Sequence, residues 1–227
     1  MHGREKVTTK EGYIMSNYVI NINNLSKISN GKKILDNINL QIESGKIYGV
    51  VGRNGSGKTM LFKAICGLIK PTSGEIFVFD QAIHKGDLPE NTGVIIENPG
   101  FLLQYSALKN LKMLASINNN IDEDQIKKAI SLVGLDPDDR IPVKKYSLGM
   151  KQRLGIAQAI MENPKLLILD EPMNSLDEDG VELIRSILLD LKKQSVTILI
   201  ASHIKEDIET LCDEVYNMSN GKLEKKI

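Results

Sequence analysis

The chain has 227 residues and a mass of 25.2 kDa, enough for one sizeable α/β domain or one domain carrying an inserted lobe, and too little for a multidomain array. Its 29 Lys and Arg balance 29 Asp and Glu at a sequence pI near 6.8, so bulk positive charge cannot drive binding to nucleic acid, and no such partner is expected. Hydrophobic residues at 41% and charged residues at 26% exclude disorder across the chain, and four Phe, six Tyr and no Trp require an aliphatic core.

Residues 1–17 form a polar tail without the apolar run of a secretory signal, and Met15 stands as an alternative start. The first strand candidates are YVINI at 18–22 and ILDNINLQI at 34–42, whose alternation fits half-buried strands of an N-terminal antiparallel β portion. IYGVV at 47–51 is apolar on both faces and reads as a central parallel strand. A glycine-rich segment follows, then helical spacing over 59–69 that stops at Pro71 and Gly74. EIFVFD at 75–80 and GVIIE at 93–97 are further strands, the latter closed by Asn98-Pro99-Gly100. From 101 to 162 the periodicity is helical, in LKNLKMLASI and DEDQIKKAISLVGL, with no strand candidate. Strands return at 166–170 and 196–202, separated by a helix over 181–193. Alternating strands and helices predict a parallel sheet covered by helices. The longest apolar runs, such as LLIL at 166–169, fall far short of the ~20 residues of a spanning helix. Cys66 and Cys212 have no metal-ligand spacing and read as buried thiols in a reducing compartment.

The strongest chemical signal is GRNGSGKT at 52–59, which fits GxxxxGK[ST] between a buried strand and a helix. Gly52, Gly55 and Gly57 let backbone N–H groups converge on phosphate oxygens at a helix N-terminus. Asn54, Ser56, Lys58, Thr59 and Met60 complete the candidate nucleotide-binding set, with Lys58 reaching the β and γ phosphates and the Thr59 hydroxyl on Mg²⁺. LLILDE at 166–171 supplies the second half: Asp170, at a strand's carboxyl end, is placed to hold Mg²⁺, and Glu171 to polarise the attacking water. Alone, such a strand end is weak evidence; beside a P-loop it is strong.

At these motifs the chain resembles the ATP-binding subunit of ABC transporters, over nearly all of residues 18–227. YSLGMKQRL at 146–154 looks like the family's signature segment, which implies that Ser147 and Gly149 contact the γ-phosphate held by the opposite subunit, with Leu148 where a glycine is usual. In isolation the same segment would be a helix N-cap. NSLD at 174–177 resembles the D-loop, with Asp177 at the dimer seam, and ASH at 201–203 ends in His203, which resembles the switch histidine on the γ-phosphate. Glu97 stands where most members carry glutamine; it keeps a metal-facing oxygen but loses the amide donor. With the flanking residues, GVIIENPGF at 93–101 resembles exporters that protect bacteria against lantibiotics and bacitracin-like peptides. The adenine-stacking aromatic would align near Ile28, which predicts weak base discrimination.

The resemblance implies a P-loop NTPase fold with a catalytic core at 18–97 and 163–227 and a helical subdomain at 98–162. It implies ATP and Mg²⁺ as cofactors, Glu171, His203 and Lys58 as catalytic residues, and Thr59, Asp170 and Glu97 around the metal. The expected partners are a membrane permease and a second ATP-binding subunit, identical or different, with the protein peripheral on the inner face of the membrane. The ending of the chain soon after Lys222, without a regulatory extension, favours an exporter. Two alternatives compete with this reading. A soluble ABC-type ATPase of translation or DNA repair would need a second cassette or a long coiled-coil insertion. A P-loop GTPase would need an Asn-Lys-x-Asp motif, which is absent.

Overall fold

The computed structural model describes residues 18–97, 99–118 and 120–226. The expectations for the tail at 1–17 lie outside these residues. In chain order the elements are β1 (Tyr18–Ser29), β2 (Lys32–Glu43), β3 (Ile47–Val51), α1 (Lys58–Ile65), β4 (Ser73–Val78), β5 (Gln81–Ala82), β6 (Thr92–Ile95), α2 (Ala107–Asn118), α3 (Glu123–Leu132), a 3-10 turn (Val143–Lys145), α4 (Leu148–Ile160), β7 (Leu166–Asp170), α5 (Glu178–Lys193), β8 (Thr197–Ala201), α6 (Lys205–Leu211), β9 (Glu214–Ser219) and β10 (Lys222–Lys225).

Two sheets form. The six-stranded one has the order β10-β9-β3-β8-β7-β6 and is parallel except at β10; the four-stranded one, β2-β1-β4-β5, is antiparallel. As expected from its two apolar faces, β3 lies inside the parallel sheet, between β9 and β8. Side-chain alternation divides the core: Leu167, Leu169, Ile198 and Ile200 face α2 to α5, while Leu166, Ile168, Leu199 and Ala201 face α1 and the antiparallel sheet. The helical stretch 107–160 shares the first of these cores with the sheet, because α4 packs on β6 so closely that a Cβ on Gly93 would lie 1.9 Å from the Ala159 carbonyl oxygen.

Several boundaries differ from the sequence reading, for local reasons. The first helix ends at Ile65, short of residue 69, because Gly67 takes φ +66 and a side chain there would strike the Asp87 carbonyl. The strand expected at 75–80 ends at Val78, since Phe79 and Asp80 both turn left-handed (φ 49 and 62) and lead into β5. The strand expected through Glu97 ends at Ile95, and Glu97 itself has φ 60. Asp177 caps the fifth helix and starts it at Glu178 instead of residue 181. The chain's last helix and the β9–β10 hairpin were not foreseen. Both Cys66 and Cys212 are free, and burial pushes their thiols up to about 12. No described helix is long and apolar enough to cross a membrane.

Candidate active site

The segment after β3 leaves the carboxyl end of the parallel sheet and enters α1 through Gly57, at φ +118 and with no side-chain cap. The first-turn N–H groups of α1 therefore face an open space, the arrangement that binds anions. Gly57 has no room for a side chain, because a Cβ there would lie 2.7 Å from Met218 Cε and 3.0 Å from the Ile34 carbonyl. Gly52, at φ +157, is packed the same way against the Met218 carbonyl. The β9–β10 turn thus supports the loop from below, and Gly221 N–H donates to the Ser56 carbonyl at 3.0 Å.

Above the loop lies a cleft of about 870 Å³. Arg53, Asn54, Gly55, Ser56, Gly57, Lys58, Thr59 and Met60 line it together with Glu97, Asp170 and Glu171, so the sequence-derived nucleotide and metal residues converge, Gly52 lying just behind. Lys58 is only 6% exposed, and its Nζ donates to the Gly52 carbonyl at 2.8 Å. The Thr59 hydroxyl donates to Asp170 Oδ2 at 2.6 Å. Burial raises Asp170 above the usual carboxylate range, with the Thr59 bond opposing it. Next along the chain, Glu171 sits in the left-handed region at φ 52, its N–H held by the Ala201 carbonyl at 2.9 Å. Non-glycine residues in that region carry strain and concentrate at functional sites. Glu171 Oε2 accepts from His203 Nδ1 at 2.7 Å; because a carboxylate only accepts, the ring proton is assigned to Nδ1. Glu171 Oε1 is buried with no hydrogen-bond partner, Lys58 Nζ standing 3.7 Å away, and Ser56 Oγ is likewise buried and unpartnered.

The remaining expected residues are elsewhere. Ser147 caps α4 by accepting from Met150 N–H at 3.1 Å, and Asp177 caps α5 by accepting from Gly180 N–H at 3.1 Å. Neither lines the cleft of its own chain. Gly149 ties the two segments together, since a Cβ there would approach the Ser175 carbonyl to 2.8 Å. His203 lines a second cavity of about 830 Å³, which shares Arg53, Asn54, Gly55, Ser56 and Asn220 with the first. Glu97 lines the cleft, yet its Oε1 is engaged by Lys63 Nζ at 2.6 Å. Ile28 is 43% exposed and does not line the cleft, where Lys32, Lys33 and Ile34 contribute instead; among the described residues, no lining residue is aromatic.

Sequence reasoning missed Gln152, Asn174, Ser175, Asn220 and Gly221 as lining residues. Gln152 is 8% exposed and donates from Nε2 to the Pro172 carbonyl at 2.9 Å, which braces the loop after Glu171. Its position within the signature helix was the only available signal. Asn220-Gly221 carried a readable one, an Asn-Gly pair between alternating runs.

Comparison with known proteins agrees with this geometry. The ABC transporter family model matches residues 35–174. An uncharacterized ABC transporter ATP-binding protein of Bacillus subtilis, YybJ, is 49% identical over 91% of this chain and 95% of its own length. The bacitracin transport ATP-binding protein BcrA of Bacillus licheniformis is 41% identical over 92% of this chain and 69% of its own. The lantibiotic transport ATP-binding protein SrtF of Streptococcus pyogenes is 40% identical over 90% and 89%. Among solved structures, the dimeric ATP-binding cassette MJ0796 bound to ADP and Pi superimposes with a TM-score of 0.81 at 21% identity, over 91% of this chain and 98% of its own, and shares the fold. The chain belongs to the ABC transporter family, as an ATP-binding subunit whose ATPase activity energises transport.

Proposed function

We propose that this subunit drives a separately encoded bacterial permease that exports peptide antibiotics of the bacitracin or lantibiotic kind, docked at the inner face of the membrane as a head-to-tail dimer of ATP-binding subunits. The relatedness to BcrA and SrtF supports the substrate class, and that of a soluble ABC-type ATPase finds no support among these relatives. Ser147, Gly149 and Asp177 do not line their own cleft, as is expected of residues serving a second subunit's nucleotide.

The observation that carries the catalytic reading is the buried, unpartnered Oε1 of Glu171 beside Lys58 and the Thr59–Asp170 pair. Thr59 and Asp170 offer the hard oxygen donors that Mg²⁺ takes. When bound, Mg²⁺ neutralises charge on the β and γ phosphates. Lys58 adds a positive charge there by exchanging the Gly52 carbonyl for phosphate oxygen, and the uncapped N–H groups of α1 orient the chain of phosphates. Glu171, turned by His203 at Oε2, keeps Oε1 free to accept a proton from the attacking water. Glu97, now paired with Lys63, would offer a further oxygen donor to the metal if that pair opened.

Expression in a peptide-sensitive bacterium, together with a permease that co-purifies with the subunit from its native membranes, tests the proposal. Tolerance to bacitracin or a lantibiotic should rise with the wild-type subunit and not with Glu171→Gln, and the subunit should sediment with membranes. Unchanged tolerance would remove the substrate class; a subunit absent from membranes would remove the permease.

A further inference from the structure

His203 is placed by a buried polar chain that the reading above does not use. Arg185, on α5 and 6% exposed, donates from Nη2 and Nε to Asp207 Oδ1 at 2.6 and 3.0 Å. Asp207, on α6, is 0% exposed, and its Oδ2 accepts from the Ser202 hydroxyl at 3.1 Å. Ser202, 1% exposed, in turn accepts at Oγ from Ile204 N–H at 3.1 Å. The hydroxyl thus clamps the residues on both sides of His203. His203 then reaches Glu171 Oε2 twice, from its backbone N–H at 3.3 Å and from Nδ1 at 2.7 Å.

A buried ion pair is a poor route to stability, since apolar residues of similar volume serve as well or better. What it does supply is direction: two bonds from a planar guanidinium fix the Asp207 carboxylate, and a fixed carboxylate fixes the rotor of a buried hydroxyl. Every polar atom of Asp207 and Ser202 named here is used in this one line of contacts. The line ends at a helix terminus with no side-chain cap of its own, at Ile204, so the Ser202–Ile204 bond also anchors the start of α6.

We propose that Asp207 and Ser202, anchored by Arg185, are positioning residues for hydrolysis: they hold the backbone at His203 so that its Nδ1–H locks one oxygen of Glu171 and leaves the other for water. This inference rests on Glu171 being the base. The test uses the full-length subunit, with Ser202→Ala, Ser202→Thr and Asp207→Asn beside Glu171→Gln. Steady-state phosphate release is measured against ATP concentration, and the ring nitrogens of His203 are followed by NMR, with only His2 and His84 besides it in the chain.

Ser202→Ala and Asp207→Asn should lower kcat by roughly tenfold to a hundredfold with little change in KM, as displaced reacting groups do. They should also move the His203 ring signals away from the pattern of an Nδ1-protonated tautomer, while Ser202→Thr restores both. Wild-type kcat in both variants, an unshifted His203 pattern, or a kcat loss that only follows the unfolded fraction would each overturn the inference. Should Ser202→Thr fail to fold, the ring pattern of Asp207→Asn decides alone. Glu171→Gln separates the two layers: wild-type turnover there removes the base assignment, whereas slow Glu171→Gln with normal Ser202→Ala and Asp207→Asn removes only the positioning role.

Discussion

In the cleft, Ser56 Oγ and Glu171 Oε1 are buried without hydrogen-bond partners, whereas on the outward face Ser147 and Asp177 each satisfy a helix N-terminus of their own chain. Buried polar atoms without partners are costly, and two of the four among the described residues, the others being Asn21 Oδ1 and Arg153 Nε, lie at this cleft, where a ligand can supply the missing bonds. The two outward helix starts are capped as they stand. If they serve a second subunit's phosphates, as proposed, they do so by sharing or giving up these local bonds. The cleft therefore offers unpaired groups to a ligand, whereas the two outward helix starts are paired within the chain.

The sharpest way to break the comparison is at the orphaned oxygen. Glu171→Gln keeps shape and hydrogen-bonding capacity but loses the charge, so phosphate release should slow by ~10²–10⁴-fold while ATP still binds. Near wild-type turnover would place the base elsewhere. Lys58→Ala comes next: losing one charged phosphate contact should weaken ATP binding by about 2 kcal/mol, roughly thirtyfold in Kd, by titration. Because Lys58 is buried, its thermal midpoint must be recorded alongside. A smaller effect is expected on the outward face. Ser147→Ala removes a cap, costing about 1 kcal/mol of stability, and should leave ATP affinity of the single subunit unchanged. Loss of that affinity would mean the outward face already serves its own cleft. Smallest is Glu97→Gln, which breaks the ion pair between the 62% exposed Glu97 side chain and Lys63 and should shift stability by no more than about 0.5 kcal/mol, an effect that salt erases.

The same contrast explains what could be read from the sequence. The P-loop and the β7 strand with its two acids were legible because each is contiguous, with spacing dictated by phosphate chemistry. Residues 47–51 and 166–170 match their strands end to end, since burial on both faces leaves an unbroken apolar run. The short α6 has no side-chain cap, and half-exposed β9 and β10 lack a clean apolar face, so neither stood out. Yet Ser219-Asn220-Gly221-Lys222 repeats Ser29-Asn30-Gly31-Lys32, and both form two-residue hairpin turns with Asn and Gly at positive φ. Gln152 and the Arg185–Asp207–Ser202 line were beyond reach, because their meaning depends on which helices meet. Ile28 N–H donates to Thr72 Oγ1 at 3.0 Å, and Ile28 is not among the described residues that line the cleft.

Whether the two regions meet across two copies is decided most directly by gel filtration of Glu171→Gln with and without ATP. With hydrolysis blocked, ATP held by Lys58 of one copy should be covered by Ser147 and Gly149 of the other, so the variant should elute as a dimer in ATP and as a monomer without it. A variant that binds ATP yet stays monomeric would contradict the account.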